Sequence, residues 1–217
     1  MPRQETFEGR SPARALALRL LGTFLVAFAL GAAAGARAEG EVAALHPLDV
    51  ATTDPQTGAK ALRVALAREA RHLGGELREA LAAAISRAER DHGIPALLLV
   101  SLIVQESGFD PTAENGGALG LLQLRPFVAK DYAARRGLAW HGERTLLDPV
   151  RNVQLASGYL GELLARFGSV DLALEAYNKG PELVKSQLRA GESGPTPRFV
   201  KSVLGRYQSY TARYAGF

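Results

Sequence analysis

The chain has 217 residues, 47% of them apolar, with 26 Lys and Arg against 22 Asp and Glu and no cysteine. Such a composition can bury a real core and argues against wholesale disorder. The missing cysteine excludes disulfides, thiol catalysis, Cys-ligated zinc and a lipidated N-terminal cysteine.

Residues 1–19 carry Arg3, Arg10, Arg14 and Arg19, and the uncharged run LLGTFLVAFALGAAAGA follows at 20–36. With Ala-Arg-Ala at 36–38 this reads as an export signal peptide over residues 1–38, cleaved after Ala38. The apolar run is short for a membrane span, so membrane contact is expected only in transit. Removing residues 1–38 takes away five Arg and two Glu and leaves 21 basic and 20 acidic residues. The whole-chain charge of +4 is then largely a property of the signal. Electrostatic support for nucleic-acid binding disappears with it. The expected location is periplasmic or otherwise extracytoplasmic. His46, His72, His92 and His141 are scattered without a His-x-x-x-His pair, so no metal and no cofactor are expected.

Residues 39–59 (EGEVAALHPLDVATTDPQTGA) read as a linker. Residues 60–92, rich in Ala, Leu, Arg and Glu, read as helix broken near Gly74-Gly75. Residues 39–79 are thus a linker with an N-terminal helical extension, and the domain proper is expected over 80–217. Asp91-His92-Gly93 stops the helix, and Pro95 opens the next at a first-turn position. Residues 96–106 are apolar on nearly every face, the pattern of a helix buried all round. Gly108 and Asp110-Pro111 end it in an extended turn. GALGLLQL (117–124) suits a short helix. Residues 126–137 form a helix between Pro126 and Gly137, and 148–168 a long one with Asp148 as N-cap, Pro149 at N1 and Gly168 past its end. Ser169 caps a helix that ends at Gly180-Pro181, 181–191 is another, and 198–214 is a final amphipathic helix after the loop ESGPTP. No strand pattern of useful length appears. The class is all-α, with room for a minor β-hairpin at most.

Glu106 is the most informative residue. A carboxylate at the end of a buried helix is costly to ionise, so its pKa should rise and leave it a proton donor near neutral pH. The competing reading is a Glu that escapes to solvent at the helix end. Ser107 is either a partner of that carboxylate or a C-terminal cap. Gly116, Gly117 and Gly120 have no side chain to keep a ligand or a helix away, and with no Gly-Lys-Ser/Thr following they do not read as a phosphate loop. Gln123, as a buried amide, needs partners that a sugar hydroxyl or N-acetyl group would supply. Tyr177-Asn178 are either a helix stop or an aromatic–amide wall for a sugar. Asp110 reads as a turn residue and Glu114 as loop surface.

ESGFDPTAENGGALGLLQL (106–124) resembles the Glu-Ser and Gly-Leu-Met-Gln motifs of the soluble lytic transglycosylase family. DPVRNVQLASGYLGELLARFG (148–168) and LALEAYNKGP (172–181) resemble its Asp-Pro-x-x-Asn…Tyr-Leu and Ala-Tyr-Asn-Ala-Gly-Pro segments. Order and spacing agree over roughly residues 80–214. The resemblance implies a lysozyme-like, mostly helical fold whose partner is the glycan strand of peptidoglycan. It implies that Glu106 serves first as acid and then as base, closing the muramoyl 6-hydroxyl onto the anomeric carbon without water. It gives Ser107 the task of orienting Glu106 and sets Gly120 and Gln123 along the groove. It brings Tyr177 and Asn178 to Glu106 or the sugar, with Tyr159 as a second phenol. Asn115 stands where the family usually has Ser, Leu122 replaces Met, Lys179 replaces a small residue, and Phe199 lies where Tyr is common. Two further readings stay open: a lysozyme-type hydrolase, and a catalytically idle wall-binding component of a secretion or conjugation apparatus.

Overall fold

A computed structural model describes residues 54–192 and 196–215. The signal over 1–38, its cleavage site, linker residues 39–53 and loop residues 193–195 lie outside the described residues.

The first helix, α1 (Pro55–Glu69), begins inside the expected linker. The Asp54 carboxylate accepts the Thr57 amide at 3.1 Å, and Pro55 occupies the first turn, where no amide donor is needed. A cap thus makes helix of residues whose periodicity is weak. After the break at Gly74 comes α2 (Gly75–His92). Leu62 and Leu66 of α1 and Leu81 and Ile85 of α2 lie in the same buried cluster as the later helices.

The centre is α3 (Ala96–Glu106), in which residues 98–103 are all buried. Each buried Leu or Ile there contributes roughly 1.5–3 kcal/mol of transfer free energy. Its one buried polar side chain is satisfied locally: the Ser101 hydroxyl donates to the Leu97 carbonyl at 2.7 Å. Pro95 stands one residue ahead of the helix, and the Ala96 amide donates to Glu89 Oε1 at 2.9 Å.

The rest of the helical order follows from local punctuation. Helix α4 (Pro126–Arg136) ends at Gly137, and a 3-10 turn (Glu143–Leu147) leads into α5 (Pro149–Phe167). Asp148 Oδ1 caps α5 by accepting the amides of Val150 and Arg151 at 2.9 and 3.0 Å. Ser169 caps α6 (Val170–Lys179), Pro181 opens α7 (Pro181–Arg189), and α8 (Arg198–Tyr214) closes the described chain. Helix α2 packs along α5, α3 along α8, and α5 along α6. Among the described residues no helix is long and apolar enough to cross a membrane.

Residues 117–124 are not the short helix expected. Strands β1 (Glu114–Asn115) and β2 (Ala118–Leu119) pair antiparallel, Glu114 opposite Leu119 and Asn115 opposite Ala118. The loop beyond closes on itself through mutual backbone bonds between Leu119 and Leu124, at 3.1 and 3.2 Å. The reason is conformational: Gly116, Gly117, Gly120 and Gln123 have φ of 56°, 77°, 76° and 46°, which a right-handed helix does not accommodate. The small hairpin in an otherwise helical chain lies here.

Candidate active site

Glu106 is the last residue of α3. Apolar burial of residues 98–103 anchors the helix, and backbone bonds stop it there. The amides of Ser107 and Gly108 return to Ile103 O at 3.0 and 3.2 Å. Phe109, fully buried at a φ of 68°, gives its carbonyl to His72 Nε2 at 3.1 Å, which ties the exit turn to the α1–α2 connection. Asp110 Oδ1 accepts both the amide and the hydroxyl of Thr112 at 2.8 Å, so it is the turn residue expected, and these bonds hold its carboxyl below the usual range. Glu114 is exposed, in β1 rather than in a loop.

Four successive carbonyls of the turn over residues 119–124 accept side-chain donors, three from other segments and one from within. Leu119 O accepts the Asn152 side-chain amide at 2.9 Å, and Gly120 O accepts Gln123 Nε2 at 2.8 Å. Leu121 O accepts the Ser107 hydroxyl at 2.8 Å, and Leu122 O accepts the Tyr177 phenol at 2.8 Å. Asn152 also donates to Leu146 O at 3.0 Å and accepts the Leu122 amide at 2.8 Å. Thus α3, α5 and α6 all fasten one short turn, and a backbone amide there cannot drift without breaking a buried bond.

Glu106, Asn115, Gln123, Tyr159, Tyr177 and Asn178 line one open groove of about 1120 Å³. The sequence reading placed them together, and so does the fold. Ser107 and Gly120 differ. The Ser107 hydroxyl is taken up by the Leu121 carbonyl, not by the Glu106 carboxyl. Gly120 is buried against α5: a Cβ there would lie 2.2 Å from Leu146 O and 2.4 Å from Asn152 Nδ2. Both residues shape the turn rather than face the groove. The four departures from the family pattern are also placed. Asn115 is exposed on the groove rim, Leu122 is buried, Lys179 pairs with Glu175 at 2.8 Å, and Phe199 packs partly buried against the core.

Burial raises the Glu106 carboxyl to about 7, with no charged neighbour contributing. Among the described residues no side chain hydrogen-bonds it. The groove's other carboxylates are engaged: Asp131 and Glu162 with Arg135, and Glu182 with Arg166. Tyr159 and Tyr177 stand with ring centroids 5.9 Å apart, and burial pushes the Tyr177 phenol well above its usual value, with Glu106 adding to the rise. Gln123 has a fixed orientation, since Nε2 donates to Ala113 O at 2.9 Å and Gly120 O at 2.8 Å. Its Oε1 is buried without a partner, an acceptor waiting for an N–H or O–H donor. Chemically the groove offers a single proton donor near neutral pH beside an unfilled acceptor.

Asn152 is the Asn of the Asp-Pro-x-x-Asn segment, which the sequence alone gives no role, and the structure makes it the clamp of the turn. It is fully buried, three and four residues before Leu155 and Ala156 on the apolar face of α5. That motif position, and a lone amide on an apolar stripe, were the available signals.

The fold and the groove define a lysozyme-like, mostly helical domain with, among the described residues of the groove, one neutral-pH acid. Residues 54–198 match the model of the Transglycosylase SLT domain family, and the chain belongs to that family. The match begins at the cap of α1, well before residue 80. A Haemophilus influenzae protein named as a soluble lytic murein transglycosylase is 34% identical over 102 residues, covering 46% of this chain and 17% of that protein. A transglycosylase of Enterobacteria phage PRD1 is 32% identical over 97 residues, 44% of this chain and 33% of the phage protein. The chain therefore spans a third or less of these relatives' length. Among solved structures, the lytic transglycosylase Slt of Pseudomonas aeruginosa, in an inactive mutant form, is similar at a TM-score of 0.55 and 26% identity. That likeness covers 61% of this chain and 24% of the other.

Proposed function

We propose that this chain is a peptidoglycan lytic transglycosylase that cleaves the bond between N-acetylmuramic acid and N-acetylglucosamine without water. The observation that carries the reading is the Glu106 carboxyl, held protonated to about 7 by burial in an open groove whose other carboxylates are paired with arginines.

The reaction balances on that one group. Glu106 gives its proton to the glycosidic oxygen as the bond to the anomeric carbon breaks. The resulting carboxylate takes the proton of the muramoyl 6-hydroxyl, whose oxygen bonds to the anomeric carbon. Glu106 ends protonated, the product carries a 1,6-anhydro ring, and no second carboxylate is required, in contrast to the usual glycoside hydrolysis pair. Gln123 Oε1 accepts a hydroxyl or N-acetyl N–H of the sugar. Asn115, Tyr159 and Asn178 contact the glycan from the groove wall. Ser107, Gly120 and Tyr177 act through the turn they hold.

The substrate lies outside the cytoplasm, and we assign residues 1–38 as the export signal that takes the chain there. A cell-envelope assembly machine is the proposed setting. Purified protein should release anhydro-ended fragments from isolated sacculi, and Glu106→Gln should release none while keeping its helical circular dichroism. Normal release by that variant would remove the assignment.

A further inference from the structure

Four cations line the groove: Arg125, Arg135, Arg166 and Lys179. Three are neutralised in place. Arg135 bridges Asp131 and Glu162, Arg166 pairs with Glu182 at 2.6 Å, and Lys179 pairs with Glu175 at 2.8 Å. Arg125 is different. It is exposed, and no side chain among the described residues pairs with it. Its attachment is rigid: Gln123 before it is bonded into the turn, Pro126 follows, and its own carbonyl accepts the Ala129 amide at 3.0 Å to start α4. Phe127, two residues on, lines the same groove and is 69% exposed, more than any other large apolar side chain among the described residues.

A bare guanidinium and an exposed ring that line the same groove two residues apart give it both charge and apolar area to offer. Neither is needed by the fold, since both side chains project from it. Nor does Arg125 serve the acid, because burial alone accounts for the raised Glu106 carboxyl.

We propose that Arg125 is a specificity determinant that reads a carboxylate borne on the muramoyl lactyl arm, with Phe127 covering the apolar part of that arm. The inference rests on the peptidoglycan reading above. The sugar rings of that polymer are uncharged, and negative charge enters at the lactyl arm. It is there either as the free lactyl carboxylate of a strand without peptides or as the carboxylates of an attached peptide stem. A planar guanidinium matches a carboxylate with two parallel N–H donors, a geometry that a lysine does not reproduce. An apolar face beside it suits the methyl groups of lactate and alanine.

The test uses the full chain and three glycan preparations: strands with stems, strands stripped of stems, and stripped strands whose lactyl carboxylates have been converted to amides. The wild type is expected to prefer carboxylate-bearing strands over the amidated ones. Arg125→Gln should shrink that preference about twofold to fivefold, the range of a solvent-exposed ion pair. The change should lie in KM rather than kcat. Arg125→Lys should restore part of it, and added salt should weaken the wild-type preference. The strand type that loses most identifies which carboxylate is read. An unchanged preference in an active Arg125→Gln enzyme, or an equal loss on amidated strands, overturns the inference while leaving the peptidoglycan reading in place. Failure of the wild type on all three preparations removes that reading and the inference together.

Discussion

Asn152 of α5 accepts the Leu122 amide at 2.8 Å and so fixes the groove turn from a helix thirty residues further along the chain. The same side chain donates to Leu119 O and Leu146 O. Asn152→Leu keeps the branched shape but is bulkier, and it strands the Leu122 amide and takes the side-chain donor from Leu146 O, while Leu119 O keeps the Leu124 amide. The expected loss is about 2–4 kcal/mol of stability, since each of the two abandoned buried groups costs about 1–3 kcal/mol and relaxation recovers part. Chemical denaturation measures it, and a loss within experimental error would show that the turn does not depend on this amide.

Gly120→Ala attacks the same contact from the other side. The new methyl would meet Leu146 O and Asn152 Nδ2 at 2.2 and 2.4 Å, at a backbone φ of 76° that also disfavours alanine. We expect about 2–4 kcal/mol of destabilisation from overpacking and strain together. A melting temperature within a degree of wild type would contradict the packing described.

Tyr177 has its hydroxyl committed to Leu122 O at 2.8 Å. Tyr177→Phe therefore loosens the turn without removing a group of the proton transfer. Stability should fall by about 1–2 kcal/mol, and turnover by about tenfold or less, below the range of about 100-fold to 10,000-fold for loss of a direct proton-transfer group. A larger fall in kcat with stability intact would place the phenol in the chemistry itself.

Much of this arrangement was legible in the sequence because it is written in local chemistry. Asp148-Pro149, Ser169, Gly137 and Gly168 set helix ends through caps and turns that a few residues decide, and the apolar run before Glu106 announces a buried acid. The misreadings share a cause. Leu119 to Leu124 look helical by composition, but their conformation is decided by Asn152, Tyr177 and Ser107, which arrive from three other segments. Ser107 is the C-cap of α3, one of its two readings, and its hydroxyl reaches Leu121, fourteen residues away, instead of Glu106. The start of α1 was lost because weak periodicity over residues 55–59 hid the Asp54 cap.

The pH dependence of Glu106 has a definite sign. Its carboxyl is raised from 4.5 to about 7 in the folded chain, so between those values the folded state binds the extra proton. Stability attributable to this group is greatest below 4.5 and declines as pH rises to 7, by on the order of 1–3 kcal/mol. Glu106→Gln cannot ionise, so relative to wild type it should gain stability as pH rises from 4.5 to 7, measured by denaturation at each pH. In the active protein kcat/KM should fall about tenfold per pH unit above 7 as the proton donor is lost. A limb near 4.5 would mean that burial does not hold the proton.

In the proposed reaction one carboxyl both gives and takes the proton, with the muramoyl 6-hydroxyl as nucleophile and no water consumed. Digestion of sacculi in water enriched in oxygen-18, followed by mass analysis of the new glycan ends, tests it most directly. Lytic cleavage by Glu106 should give 1,6-anhydro ends free of the heavy isotope. Reducing ends carrying one heavy oxygen would contradict it and make the protein a hydrolase.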